Sequence, residues 1–196
     1  MARAWTVVKV GGSLFDLPDL RTRLQAWLAQ LDADRVLLVP GGGTTADAIR
    51  NLDRVHQLGE EAAHWLAIQT LSVNARFLQV LLPDARLFAE VSESTFAYAS
   101  GSEMHILDAM PFFVADEQRP DHLPHCWEVT SDSLAVRVAA LLGAQELVLL
   151  KSVGPSRCTW SAAWHDGLLD HHFADAMRQA PAAMRVRIVN LRNGAP

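Results

Sequence analysis

The chain carries fifteen arginines but only two lysines, Lys9 and Lys151, and each closes a short apolar run. A compact, mobile ammonium suits a phosphoryl group in transfer, so lysine kept at two strand ends in an arginine-preferring sequence points to anion chemistry. Gly11-Gly12-Ser13 follows the run Thr6 to Val10, and Pro40 with Gly41-Gly42-Gly43 closes the run Arg35 to Val39. Glycines between a strand end and a helix start let backbone N–H groups approach an anion, and the helix dipole adds positive potential there. Either turn alone reads equally well as a tight β–α connection. As a pair on parallel strands, they open at one edge of a sheet and could hold a phosphate donor and an acceptor. Neither turn matches the Walker pattern or the dinucleotide fingerprint. Phosphoryl transfer asks for positioning and positive charge more than for covalent help, which lysines and amides supply. Asp132 is placed to orient the lysines or to assist a magnesium-bound nucleotide, and equally to cap a helix.

The elements that must position these residues follow from periodicity. Leu20, Leu24, Trp27, Leu28 and Leu31 recur at helical spacing, with Asp16 and Pro18 as start signals. A second helix is expected from Thr45, and a long one from Glu60 to Leu82. Strands are expected at Arg86 to Ala89 and Met110 to Val114, a helix at Leu134 to Leu142, and further strands at Glu146 to Leu150 and Arg185 to Val189. Gly101, Pro111, Pro120 and Pro124 favour loops, which makes the middle of the chain a place for an acceptor-binding region. Successive β-Gly-α units imply an α/β fold, a three-layer αβα sandwich around a central, mainly parallel sheet, in one domain over 1–196.

With 196 residues, 50% of them hydrophobic and 20% charged, the chain has the profile of a packed globular protein. The net charge of -5 offers no basic surface for nucleic acid. Cys126 and Cys158 match no metal spacing, which suits a reducing cytoplasm. No signal peptide is evident and no apolar run nears the ~20 residues that span a bilayer, so a soluble, unprocessed protein is expected, with no membrane partner. His122, His125, His165, His171 and His172 do not pair at ligand spacing on an expected helix, so they read as solvated or locally hydrogen-bonded, with no metal held by protein side chains. The tryptophans read mainly as core.

Val7 to Leu14 (VVKVGGSL), Val39 to Arg50 (VPGGGTTADAIR) and His125 to Ala144 (HCWEVTSDSLAVRVAALLGA) together resemble the amino-acid kinase superfamily in letters, order and separation. Trp127, the stretch Thr130 to Ser133, and the helix from Ala62 to Leu71 with His64 and Trp65 are most similar to the furan-methyl-phosphate kinases of methanofuran biosynthesis, a branch of one-carbon metabolism. The resemblance implies ATP with Mg2+ as donor, a small phosphate or carboxylate acceptor, and a homo-oligomer. It assigns Lys9 and Asp132 to catalysis, and Gly11, Gly12, Gly42 and Gly43 to phosphates; Ser13 and Gly41, in the same two turns, are expected to bind phosphate with them. Thr130, Ser131, Lys151, Ser152 and Gly154 go with the nucleotide, and Thr44, His64, Trp65 and Trp127 with the acceptor. After the strand ending at Leu150 that family reads Thr-Asp-Val-Asp-Gly, whereas this chain reads Lys151-Ser152-Val153-Gly154-Pro155. The departure falls on the loop that seats the nucleotide there, and leaves open a rebuilt or absent adenosine side. Two other functions fit the same residues: a kinase of a carboxylate or nucleoside monophosphate, and a catalytically silent nucleotide-binding or regulatory subunit.

Overall fold

The computed structural model describes residues 4–89, 103–155, 163 and 165–193. Strand β1 (Trp5–Val10) leads through a single 3-10 turn (Gly12–Leu14) to α1 (Leu20–Ala29). Next come β2 (Arg35–Pro40), α2 (Gly43–His56), α3 (Glu60–Leu81) and β3 (Arg86–Phe88). The chain continues through β4 (Glu103–Leu107), α4 (Ala109–Asp116), α5 (Ser131–Leu141), β5 (Glu146–Lys151), α6 (Phe173–Gln179) and β6 (Arg185–Asn190).

The six strands form one sheet in the order β3-β4-β2-β1-β5-β6, and every neighbouring pair is parallel. All six residues of β1 are buried, as expected of a central strand covered on both faces. Val7, Leu37, Leu147 and Leu149 pack with Ile68 and Leu71 of α3, Phe112 and Phe113 of α4, and the buried face of α5. On the opposite face Val8, Val10, Leu38, Val148 and Leu150 pack with Leu20 and Leu24 of α1 and with Ala75 and Leu78 further along α3. The alternation along each strand therefore feeds two cores, one on each side, as a three-layer αβα architecture requires.

One expected strand is a helix. Met110 to Val114 lies within α4, and the fourth strand along the chain is instead β4, which begins at Glu103. The apolar run MPFFV is compatible with either state by length alone. Pro111 falls in the first turn of the helix, where its missing N–H has no intrahelical partner to lose. Helix α1 starts after Asp19 rather than at Asp16 or Pro18. Pro120 and Pro124 lie outside helices and strands, as expected, while Gly101 lies outside the described residues.

Helix α5 is buried almost all round, including the polar residues Asp132, Ser133 and Arg137. Arg137 forms a bidentate pair with Asp116 at the end of α4, through Nε at 2.9 Å and Nη2 at 2.8 Å, and its Nη1 reaches Asp121 at 2.8 Å. This fork ties α5 to the end of α4.

Candidate active site

The C-terminal ends of β2, β1 and β5 lie side by side, with Val10 paired to Pro40 on one flank and to Leu150 on the other. The chain runs outward from β1 to β2 and later returns to place β5 on its other side. The β1/β5 boundary is thus a topological switch point, the position at which open α/β sheets bind ligands. Both glycine turns open on this rim and touch. A Cβ added to Gly12 would lie 2.1 Å from the Gly43 nitrogen, and one on Gly41 would lie 2.3 Å from the Gly12 nitrogen. Gly43 also has φ +56°, a conformation that disfavours any side chain.

The two turns do not offer all their amides. Gly11 N–H donates to Leu150 O and Gly41 N–H to Val10 O, both at 2.8 Å, so these two glycines extend the sheet. Among the described residues, the amides of Gly12, Gly42 and Gly43 have no protein acceptor. Ser13 Oγ lies 2.8 Å from Ser152 Oγ, which joins the first turn to the loop after β5. Gly154 stands beside Asn190 at the end of β6.

Both lysines of the chain converge on Asp132 in the first turn of α5. Lys9 Nζ lies 2.9 Å from Asp132 Oδ1, an ionic contact off the angle of a hydrogen bond, and Lys151 Nζ donates to Oδ2 at 2.5 Å. Lys9 and Asp132 are both buried. Burial by itself would raise the Asp132 carboxyl, but the Lys9 and Lys151 charges outweigh it and hold the group below the ordinary carboxylate range. Lys151 is pushed down to about 8, first by burial and then by the Lys9 charge, against the pull of Asp132.

Two positioning residues were not singled out in the sequence. Asp170 accepts from Thr130 N–H at 2.9 Å, Thr130 Oγ1 at 2.8 Å and Ser133 N–H at 3.0 Å, and also binds Ser133 Oγ. It therefore saturates the start of α5 and fixes the turn that presents Asp132. Thr130 is itself the N-cap, accepting from Asp132 N–H at 3.4 Å. Asn74, buried on α3, donates from Nδ2 to Gly41 O at 2.7 Å and Gly42 O at 2.8 Å, and lies 2.9 Å from Thr45 Oγ1. Its contacts hold the second glycine turn in shape. Asp170 lies 40 residues from Thr130 and Asn74 32 residues from Gly42, so no local pattern links them.

Beside the second turn is a cavity of about 170 Å3, whose lining includes Gly42, Gly43, Arg50, His64 and Trp127. Thr130 and Ser131 line it as well. Trp127 donates from Nε1 to Asp53 at 2.7 Å, and the Arg50 guanidinium sits over its ring at 4.6 Å. His64 is held neutral, with its pKa lowered to about 4 by burial and then by the His125 charge. Trp65 and Thr44 are not among the lining residues; Trp65 donates to Glu61 and packs against the core.

The amino acid kinase family matches residues 4–154. A relative from Methanocaldococcus jannaschii, [5-(aminomethyl)furan-3-yl]methyl phosphate kinase, is 26% identical over 154 residues, 75% of this chain and 65% of that protein. Uridylate kinase of Metallosphaera sedula is 34% identical over 90 residues, 45% of this chain and 40% of its own. The chain thus spans less than two thirds of the length of either relative. Among solved structures, UMP kinase from Ureaplasma parvum has the same fold at a TM-score of 0.62 and 12% identity, covering 96% of this chain and 90% of that one. Aspartate kinase from Synechocystis gives 0.64 at 14% identity, covering 94% and 38%. Both glycine turns, the two lysines and Asp132 all fall within the matched segment, and the chain belongs to the amino acid kinase family.

Proposed function

We propose that this chain is an ATP-dependent phosphotransferase acting on a small phosphorylated acceptor. The observation that carries the reading is the convergence of Lys9 and Lys151 on Asp132, at the rim where the two glycine turns abut. Asp132 acts there as an orienting anion: with one lysine on each oxygen, it holds two ammonium groups close together without being consumed as a metal ligand. Mg2+ would be carried by the nucleotide phosphates and would neutralise part of their charge. In the transfer, an acceptor oxygen forms the new P–O bond as the bond to the ADP oxygen breaks. Lys9, Lys151 and the unused amides of Gly12, Gly42 and Gly43 stabilise the charge on the moving group.

The cavity supports a compact acceptor whose phosphate faces Gly42 and Gly43 and whose ring reaches Trp127. The furan-methyl phosphate named for the archaeal relative fits that description, and methanofuran-type cofactor synthesis is the context we propose. The uridylate kinase relative makes a nucleoside monophosphate the second candidate. We also propose a cytoplasmic homo-oligomer formed by one domain. The exposed Val73, Phe77 and Val80, spaced along one side of α3, support self-association.

Calorimetry with Mg-ATP, followed by ADP release with a furan-methyl phosphate, UMP and carboxylate acceptors, tests the reading. Saturable Mg-ATP binding and acceptor-dependent ADP release are expected. Absent nucleotide binding would refute the kinase reading, and binding without turnover on any acceptor would leave the silent regulatory subunit in its place.

The depressed Lys151 adds a pH dependence. Its ammonium is charged below about 8 and loses its proton above, so kcat/KM for ATP, which reports the free enzyme, is expected to fall as pH rises through that value. Lys151→Arg keeps the charge at all working pH and should remove the alkaline limb, even with a lower plateau. A wild-type profile that stays level above pH 8 would exclude a required Lys151 ammonium.

A further inference from the structure

On the wall behind the cavity, three histidines and two glutamates gather from three parts of the chain. Glu61 and His64 lie one turn apart on α3, Glu117 closes α4, and His122 and His125 sit on the loop that leads to Trp127. His125 is the centre. Its Nδ1 is 2.6 Å from Glu61 Oε2, its Nε2 is 2.9 Å from Glu117 Oε1, and its ring stacks on His64 at 4.1 Å with 13° between the planes. His122 Nδ1 lies 3.6 Å from the same Glu117 oxygen and 3.0 Å from the Leu123 carbonyl. A neutral imidazole has one N–H to give, yet His125 faces a carboxylate on both nitrogens. The second contact calls for a cation, either a proton or a metal.

The geometry points to a metal site at Glu117, His122 and His125, suited to Zn2+ or a similar borderline transition-metal ion, with Glu61 as the outer carboxylate on His125. One ligand atom from each of the three residues lies within 4.8 Å of the others. Bonds of about 2.0–2.1 Å in a tetrahedral zinc site set ligand atoms roughly 3.3 Å apart, and the contacts of 2.9 and 3.6 Å bracket that spacing. The Glu61–His125 contact reproduces the carboxylate–histidine–metal arrangement in which the ring nitrogen not bound to metal donates to an acid, fixing tautomer and orientation. Two imidazoles and one carboxylate select zinc, cobalt or nickel over magnesium and calcium, which prefer oxygen. Three protein ligands leave a fourth position for water. The ion would pin the His122–Trp127 loop to α3 and α4, and so hold the wall that carries His64 and Trp127. This assignment does not depend on the kinase reading.

Untagged protein, stripped with chelator and dialysed, should take up one equivalent of Zn2+ in calorimetry. It should also give the intense visible absorption of four-coordinate Co2+ when cobalt is added. His122→Ala and Glu117→Gln should each weaken zinc binding by about 100-fold or more, and Glu61→Gln by about 10- to 100-fold. His172→Ala, outside the cluster, should leave binding unchanged, and far-UV circular dichroism confirms that each variant is folded. The site is overturned if the wild type takes up no stoichiometric zinc at micromolar concentration, which would make His125 a protonated clamp between two carboxylates. It is equally overturned if uptake survives His122→Ala and Glu117→Gln, or if it is lost in His172→Ala.

Discussion

Lys9→Ala is expected to lower turnover by about 100-fold or more, equivalent to about 2.7 kcal/mol of transition-state stabilisation. The lysine is buried at the end of β1, a central strand, and its ammonium reaches Asp132 at the start of α5. Removing it does not orphan a charge, because Asp132 keeps Lys151 as a partner. The fold should therefore survive, and the loss should appear in kcat and kcat/KM alike, as for a contact that strengthens only in the transition state. Steady-state kinetics with a far-UV spectrum makes the check. Turnover within a few-fold of wild type in a folded variant would remove Lys9 from the mechanism.

Arg137→Met should have the largest effect on stability, a loss of about 3–5 kcal/mol in urea or guanidinium unfolding. Asp116 is only 4% exposed, and without Arg137 its nearest cation is the half-exposed Arg119, 3.5 Å away. An uncompensated carboxylate at that depth is the physical source of the cost. Asp121 contributes little because its side chain is 55% exposed. Arg137→Met combined with Asp116→Leu should recover most of the loss, since both charges leave together. A single-variant loss below about 1 kcal/mol would show that the fork does not anchor α5 to α4.

The local signals in this chain were strong wherever one strand and its following turn carried the information. β1 with Gly11-Gly12, β2 with Gly41-Gly42-Gly43, and the Thr130-Ser131-Asp132 start of α5 are each legible within about ten residues, because strand burial, turn geometry and capping are short-range effects. Met110 to Val114 was misread for the same reason: an apolar pentapeptide with one proline does not reveal whether the sheet has room for it. In the structure β4 takes the place beside β2 and α4 packs above.

Long-range partners were beyond reach of any pattern. Asp170 and Asn74 act through contacts 29 to 40 residues distant, and the Glu61–His125 pair spans 64. The histidines gave no ligand spacing because the third ligand, Glu117, closes a helix while the other two sit on the loop that follows. Sequence alone thus determined the fold class, the two glycine turns and the lysines beside them, since those depend on residue type and near neighbours. Only the tertiary structure decided that both lysines meet on one carboxylate, that Gly11 and Gly41 spend their amides on the sheet, and that His64 and Trp127 share a cavity while Trp65 turns to Glu61. Such choices follow from how helices pack across the sheet, which separations along the chain do not encode.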